Sequence, residues 1–459
     1  MALLAPFRAM TARGLRVNDA LRRDRLAALT EEAARLATEA QPIVEGVLDR
    51  LARRDLVEWW TVCKVCHNGK NKHLSCDACG KLGRERVFSF NLASEKQLKD
   101  VLYKGLALPT RTRDKRVTTD EEALESLLAL DKSGLVRLAL RHAKLDTMRA
   151  IYERLAPAPD GHVRTVLNPA GTYTGRPNSA EAFYVPHSTN LHNLPAEEAR
   201  ADPLFAARDC IVPDEGEVFV YADLAQAEAR IVAALSEDKR LLDGWARDPE
   251  WDVHTWTAEH ILQARGDVTA QQRQTCGKRP RHALNYGMGP GKFWRVLNAA
   301  GAALTRKQTD AIYTGYHKLH PNLDGLWWER VEHALETDGF VETVFGRRLT
   351  FWPRFDPVTG SLDPETLRAA IAAEPQSTVA DLTNRAVVAL FERESAGFRL
   401  LHHALDAILV SCKPNAVRST ARLLKEGLEW EIVVNGTSVM VPAQVYVAPQ
   451  SWSACERIL

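Results

Sequence analysis

The stretch VFVYADLAQAEARIVAAL, residues 218–235, ends an apolar run on a carboxylate and sets polar groups close behind it: Asp223, then Gln226, Glu228 and Arg230. A second acid, Asp406, interrupts the apolar segment LLHHALDAILVSC, with Leu405 before it and Ala407, Ile408, Leu409 and Val410 after. Burying an unpaired carboxylate there costs several kcal/mol, roughly 2–7, so Asp406 needs either a cation or a turn that exposes it. One arrangement satisfies both acids: two strand ends facing each other across divalent ions. Mg²⁺ takes oxygen ligands, commonly one or two carboxylates plus substrate phosphates. Two such ions about 3.5–4 Å apart clamp the attacking and leaving oxygens of a phosphoryl transfer. The alternative is two unrelated structural aspartates, Asp223 merely capping the helix that follows.

A third group of residues suits a different metal. CKVCHNGKNKHLSCDACG places Cys63, Cys66, Cys76 and Cys79 as C-x2-C-x9-C-x2-C. Four thiolates around a short polar loop fit tetrahedral Zn²⁺. His67 and His73 are possible substitutes that the paired cysteines make unnecessary, and free surface cysteines or a redox site are the competing readings. Cys210, Cys276, Cys412 and Cys455 are scattered and read as unligated.

The elements that must position these residues follow from periodicity. Val218 to Ala222 reads as a strand and Ala225 to Leu235 as an amphipathic helix. Residues 1–58 carry Leu and Ala at helical steps; Phe88 to Leu155 does likewise, broken by the basic loop PTRTRDKR. Residues 160–215 are rich in Gly, Pro and Asn and read as loops. A mostly helical section runs to about Gly339, followed by mixed β and α ending in the β-like run VMVPAQVYV.

At 459 residues the chain is long enough for two to four domains. No apolar run approaches the ~20 residues of a membrane span. The start MALLAPFRAMTARG lacks the basic and long apolar regions of a signal peptide, so a cytoplasmic protein is expected. The net charge is only +1, but its distribution is uneven: Val268 to Thr309 holds no acid, and Arg273, Lys278, Arg279, Arg281, Lys292, Arg295, Arg306 and Lys307 all fall there. Such a block faces a polyanion or is a solvated face.

The sequence resembles family A DNA polymerases, the group of bacterial polymerase I and its phage relatives. DLAQAEAR resembles motif A, RHALNYGMG the end of motif B, and the segment around Asp406 motif C. FNLASEKQL, TTDEEAL, NPAGTYTGRPNS with NLHNLP, DVHTWTA, TVFGRR, EPQSTVADL and VPAQVYVAPQSW match in order along the chain. The resemblance implies an α+β right-hand fold, with an antiparallel palm sheet, helical fingers and a thumb, plus a small zinc ribbon. The expected divisions are an N-terminal helical part of the palm (1–58), the ribbon (59–86), the thumb (87–155), palm with motif A (156–235), fingers with motif B (236–340) and palm with motif C (341–459).

It further implies a monomeric DNA-templated DNA polymerase acting on primer–template DNA and deoxynucleoside triphosphates. Asp223 and Asp406 would hold two Mg²⁺ ions. Glu228 would exclude a 2′-hydroxyl, and Tyr286 would stack on the incoming nucleotide and bond Glu228. Arg176, Gln376 and Gln226 would touch minor-groove edges, which are nearly alike for all base pairs. Arg368 and Asn193 would contact DNA in the same region.

Some positions depart from the pattern. Where the family places Arg and Lys eight and four residues before the aromatic, this chain has Lys278 and His282. Pro280, costly inside a helix, predicts that the helix starts or kinks there, with Lys278 and Arg279 at a phosphate-attracting N-terminus. His282 is then a general acid for the leaving pyrophosphate, with an imidazole that titrates near ~6.5 unperturbed; Arg281 is the next phosphate candidate. Leu405 and Ala407 replace the usual His and Glu beside Asp406.

The ribbon, absent from the usual pattern, is flanked by Trp59, Trp60, Lys64, Lys70, Lys72, Lys81, Arg84 and Arg86. It either touches duplex DNA or staples a loop. FRAMTARGLRVND already resembles the start of the polymerase portion, so no 3′–5′ exonuclease is expected in the chain; a separate exonuclease or other replication proteins would be partners. The departures suggest a bacteriophage or mobile-element origin. The competing readings are a polymerase using ribonucleotides or an RNA template, and an inactive polymerase fold that binds primer–template as an accessory factor.

Overall fold

The computed structural model describes residues 2–47, 60–63, 84–87, 90–113, 115–195, 202–263, 266, 268–299, 302, 304–352, 354–355 and 360–459. Its contacts divide the chain into two units, Met1–Asp24 with Ile151–Leu459, and Arg25–Ala150.

The larger unit is built on a five-stranded antiparallel sheet. Its order is Phe398–His403, Ala407–Cys412, Val218–Leu224, Ala443–Ala448, Glu456–Arg457. The expected strand at 218–222 therefore lies in the middle and extends to Leu224. It pairs on both sides, Val220 with Val410 and with Val447, which explains why its residues are apolar with little alternation. Helix Ala227–Leu235 is buried at nearly every position, including Ile231, Val232 and Leu235, and packs against the long helix Pro364–Phe391. That helix and Val417–Leu428 complete the layer beside the sheet. Helix Leu4–Arg13 anchors to the first strand, where Arg13 pairs with Glu394 and donates to the Leu400 carbonyl at 2.8 Å.

Helices Lys239–Arg247, Val253–Leu262, Pro290–Ala299, Arg306–Leu319 and Glu329–Thr337 make up the expected helical section. Hairpin Phe340–Glu342/Arg348–Thr350 follows it. The run VMVPAQVYV splits at Pro442 into the end of hairpin strand Thr437–Val441 and sheet strand Ala443–Ala448. Proline donates no ladder hydrogen bond, so the break falls there.

The smaller unit holds most of helix Asp19–Glu45, most of helix Leu135–Arg154, and Glu95–Lys99 running into a π turn, Asp100–Gly105. PTRTRDKR folds back as the ribbon Thr112–Arg113/Arg116–Val117. Strands Trp60–Cys63 and Arg84–Val87 pair antiparallel, Cys63 opposite Arg84. Cys66, Cys76 and Cys79 lie outside the described residues, as do Lys64, Lys70, Lys72 and Lys81 of the ribbon. No described helix is long and apolar enough to cross a membrane.

Candidate active site

Asp223 and Asp406 meet at one end of the central sheet. In the antiparallel ladder Asp223 faces Ala407 on one side and Gln444 on the other. The next residue, Leu224, donates its amide to the Asp406 carbonyl at 3.1 Å. The two acids are thus one rung apart on hydrogen-bonded neighbours. Asp406 reaches this position through a tight hairpin: Ala404 donates to the Ala407 carbonyl at 2.8 Å, and Leu405 sits at φ +67°. Left-handed backbone costs a leucine roughly 1–2 kcal/mol. The imidazole of His403 steadies this turn by accepting the Leu405 amide at 3.2 Å. The apolar run is broken by a turn that exposes its carboxylate, as the burial argument required.

Both carboxyls are driven upward from the usual carboxylate range. Crowding by the surrounding protein is the main cause for each, joined at Asp223 by repulsion from Asp406 and at Asp406 by repulsion from Glu228. Asp406 is nevertheless exposed and Asp223 half-buried, so they look into an open cleft. A pair of hard oxygen donors whose mutual repulsion a divalent cation would relieve suits Mg²⁺, which keeps its remaining positions for water and phosphate oxygens. Among the described residues no cluster of three or more His, Cys, Asp or Glu side chains forms a further metal cage. Arg208 and Lys278 both oppose the upward shift at Asp223. Arg208, stacked 4.4 Å over Trp452, carried no spacing signal in its loop and was missed from sequence.

Behind Asp223, Gln226 adopts φ +53° and caps the start of the helix. Its amide donates to the Trp251 carbonyl at 3.1 Å and accepts from Val253 N at 3.2 Å. Gln226 thereby fixes the loop that leads into helix Val253–Leu262. Arg230 is likewise internal. Its guanidinium donates to the carbonyls of Ala225, Met440 and Pro249, lies over Trp245, and burial lowers its pKa to about 10. Glu228 instead turns to the cleft. Tyr286 donates its hydroxyl to Oε1, and Arg176 approaches Oε2 at 3.5 Å.

The helix does not start at Pro280; the irregularity expected there takes the form of a π turn just before it. Ala270–Gln272, the π turn Arg273–Lys278 and Arg279–Leu284 run on as one helix, started by a capping box between Thr269 and Gln272. In the π turn the Arg279 amide bonds the Gln274 carbonyl, five residues back. This wider turn gives the proline ring room where it would strike the preceding turn of an α-helix. Lys278 and Arg279 thus sit inside a helix, and no helix N-terminus holds phosphate there. Gly277 lets the turn lie against the backbone of Val253–Leu262, since a Cβ there would fall 2.0 Å from the His254 carbonyl oxygen.

On this helix His282 is exposed, and its charge bears on Asp406. Arg281 points the other way. It is buried, donating to Thr257 Oγ1 at 2.8 Å and to His320 Nε2 at 3.2 Å, so its assignment as a phosphate ligand is corrected. Spacing alone did not show this, because the π turn rotates the helix faces expected from a 3.6-residue period.

Gly287 ends the segment at φ +70° beneath the side chain of Arg368, which is exposed on helix Pro364–Phe391. Gln376 is half-buried two turns further along that helix. Asn193 is exposed, next to His192, whose Nε2 lies 2.7 Å from the His403 carbonyl of the Asp406 hairpin. Arg176, Arg368, Gln376 and Asn193 thus all attach to elements that border the two acids or the Tyr286 helix.

The family model of DNA polymerase family A matches residues 71–454. DNA polymerase I of Pseudomonas aeruginosa is 31% identical over 313 residues, covering 66% of this chain and 31% of that protein. The thermostable DNA polymerase I of Thermus aquaticus is 28% identical over 351 residues, covering 74% of this chain and 39% of that protein. The chain therefore spans about a third of the length of these bacterial relatives. A solved structure described as the POL domain of Pol1 from M. smegmatis in complex with DNA primer-template and dNTP has the same fold, with a TM-score of 0.75 at 21% identity over 99% of this chain and 70% of that one. With most of its length matched, the chain belongs to DNA polymerase family A.

Proposed function

We propose that the chain is a DNA-directed DNA polymerase that extends a primer on a DNA template from deoxynucleoside triphosphates. The convergence of Asp223 and Asp406 on neighbouring strands carries this reading. Each addition joins the primer 3′-oxygen to the α-phosphorus, breaks the α–β phosphoanhydride bond and releases pyrophosphate. Asp223 and Asp406 would hold two Mg²⁺ ions, which supply activation of the primer hydroxyl and stabilisation of charge on the leaving group.

The chain's own residues do the rest. Lys278, near Asp223, binds the triphosphate, and His282, near Asp406, gives the pyrophosphate its proton. Tyr286 bonded to Glu228 forms a wall against the sugar, which supports exclusion of a 2′-hydroxyl. Arg176, Arg368, Gln376 and Asn193 hold the primer–template. A structural Zn²⁺ on Cys63, Cys66, Cys76 and Cys79 completes the proposal; the antiparallel pairing of Trp60–Cys63 with Arg84–Val87, which sets Cys63 opposite Arg84, supports it.

The test is primer extension with all four deoxynucleotides and Mg²⁺, beside Asp406→Ala. The expected result is extension by the native chain and loss of at least about 10³-fold in the variant. Equal extension by Asp406→Ala would refute the assignment. Lys278→Ala is expected to raise KM for the nucleotide, and His282→Ala to lower the rate at saturation.

A further inference from the structure

The turn that carries Asp406 is gripped on both sides of that residue. On the C-terminal side the Asp406 carbonyl accepts the Leu224 amide at 3.1 Å, and on the N-terminal side the Leu405 amide donates to Nδ1 of His403 at 3.2 Å. Leu405 stands at φ +67°, a backbone that leucine adopts only at a cost, so the turn relaxes unless its amide has a partner. An amide shut off from water and left without an acceptor costs about 1–3 kcal/mol. The grip on Leu405 is therefore what holds the peptide leading into the carboxylate-bearing residue.

His403 suits that single contact. It is fully buried, and its ring meets Phe7 edge-on with centroids 5.8 Å apart. An amide can only donate, so Nδ1 is the bare nitrogen and Nε2 carries the ring proton. Nε2 has no hydrogen-bond partner among the described residues, and burial takes the pKa down to about 3, which keeps the acceptor free. The backbone of His403 is held in turn by another loop. Its carbonyl lies 2.7 Å from Nε2 of His192, on the short helix Leu191–Asn193. A carbonyl can only accept, so His192 presents its proton on Nε2. The two imidazoles have opposite polarity: His403 accepts through its δ nitrogen and His192 donates through its ε nitrogen. His402, equally buried, packs edge-on against Trp452 and takes no part in this brace.

We propose that His403, held by His192, is a positioning residue that aims the Asp406 carboxylate into the cleft by fixing the Leu405 amide. The inference rests on the reading of Asp406 as a Mg²⁺ ligand. It makes a demand on chemistry and not on size. Asparagine places its carbonyl oxygen where Nδ1 of a histidine lies, and glutamine places its amide nitrogen where Nε2 lies. The two positions should therefore tolerate opposite amides, asparagine at 403 and glutamine at 192. A role confined to packing would follow side-chain volume and draw no such distinction.

The experiment titrates Mn²⁺, read by electron paramagnetic resonance, into the chain without DNA or nucleotide, and Mg²⁺ into single-nucleotide primer extension. His403→Leu and His403→Gln should weaken Mn²⁺ binding roughly 5- to 10-fold and raise the Mg²⁺ concentration at half-maximal rate by a similar factor, the equivalent of ~1–1.4 kcal/mol. His403→Asn should stay within about twofold of the native chain, because it keeps the acceptor. At the second position His192→Asn should weaken binding and His192→Gln should restore it. The proposal is overturned if His403→Leu binds Mn²⁺ as the native chain does, or if His403→Asn and His403→Gln lose affinity alike. The two amides share one chemistry, so their comparison stands even where the leucine variant fails to fold. Asp406→Ala separates the two readings. Native-like Mn²⁺ binding in that variant sinks the metal assignment and the brace with it, whereas loss of binding there, with none in the His403 variants, sinks the brace alone.

Discussion

Gly277 offers a sharp test of how the Tyr286 helix is positioned. Its φ is not positive, so alanine is conformationally acceptable there and, as the better helix former, would add about 1 kcal/mol of stability. Packing decides the other way. The new methyl carbon would lie 2.0 Å from the His254 carbonyl oxygen, 2.8 Å from its carbon and 3.2 Å from its Cα. These are backbone atoms and cannot rotate aside, so the two helices must part by roughly 1.4 Å to restore ordinary contact. Overpacking of this kind costs about 1–3 kcal/mol, so after the helix-propensity gain Gly277→Ala is expected to lose up to about 2 kcal/mol net in urea unfolding. The effect on turnover is larger, because Lys278 is the next residue and His282 follows on the same helix. A displacement of ~1 Å at catalytic groups can cost about 10²-fold in rate, equivalent to ~2.7 kcal/mol. Single-turnover incorporation with saturating DNA and nucleotide would show this loss, while affinity for blunt duplex stays near native. A variant as stable as the native chain and within threefold of its rate would show that the close approach at Gly277 does not set the helix position.

Three other expectations follow from the geometry. His320 is held neutral: Nδ1 donates to Asp238 at 2.6 Å, Nε2 accepts from Arg281, and burial takes its pKa down to about 4. The unfolded chain binds the extra proton below about pH 6.5, so stability falls as pH drops from there to about 4, by up to ~1.4 kcal/mol per unit from this residue. His320→Asn should flatten that part of the slope in denaturant titrations; an unchanged slope would refute the neutral pairing. Arg230→Met removes three carbonyl hydrogen bonds and is expected to lower stability by about 2–4 kcal/mol, read from the unfolding midpoint at constant m-value. Purified chain should carry one zinc by elemental analysis, retained at neutral pH and lost in a Cys66→Ser, Cys76→Ser double variant; absence of zinc in the native chain counts against the ribbon.

What the sequence disclosed divides along physical lines. Asp223 was legible because a strand that ends on an acid breaks its own pattern, and Asp406 because a charge in an apolar run demands an explanation. The bond between Tyr286 and Glu228 followed from the family pattern. The burial of Arg281 and the internal hydrogen bonds of Gln226 were hidden for a common reason. Polar residues beside a site look available from sequence, but Thr257, His320, Trp251 and Val253 consume them from other helices. Pro280 was read by its local cost alone, and the π turn that removes that cost depends on Gly277 meeting a distant backbone. Arg208 gave no local signal at all. Long-range partners were what the sequence hid.

The adjacency of Asp223 and Asp406 in one hydrogen-bonded ladder has a consequence for motion. Their separation is set by main-chain pairing across Val218–Leu224 and Ala407–Cys412, and swinging of the Tyr286 helix cannot stretch it. Any cations held as proposed would therefore meet the same spacing of acids wherever that helix lies.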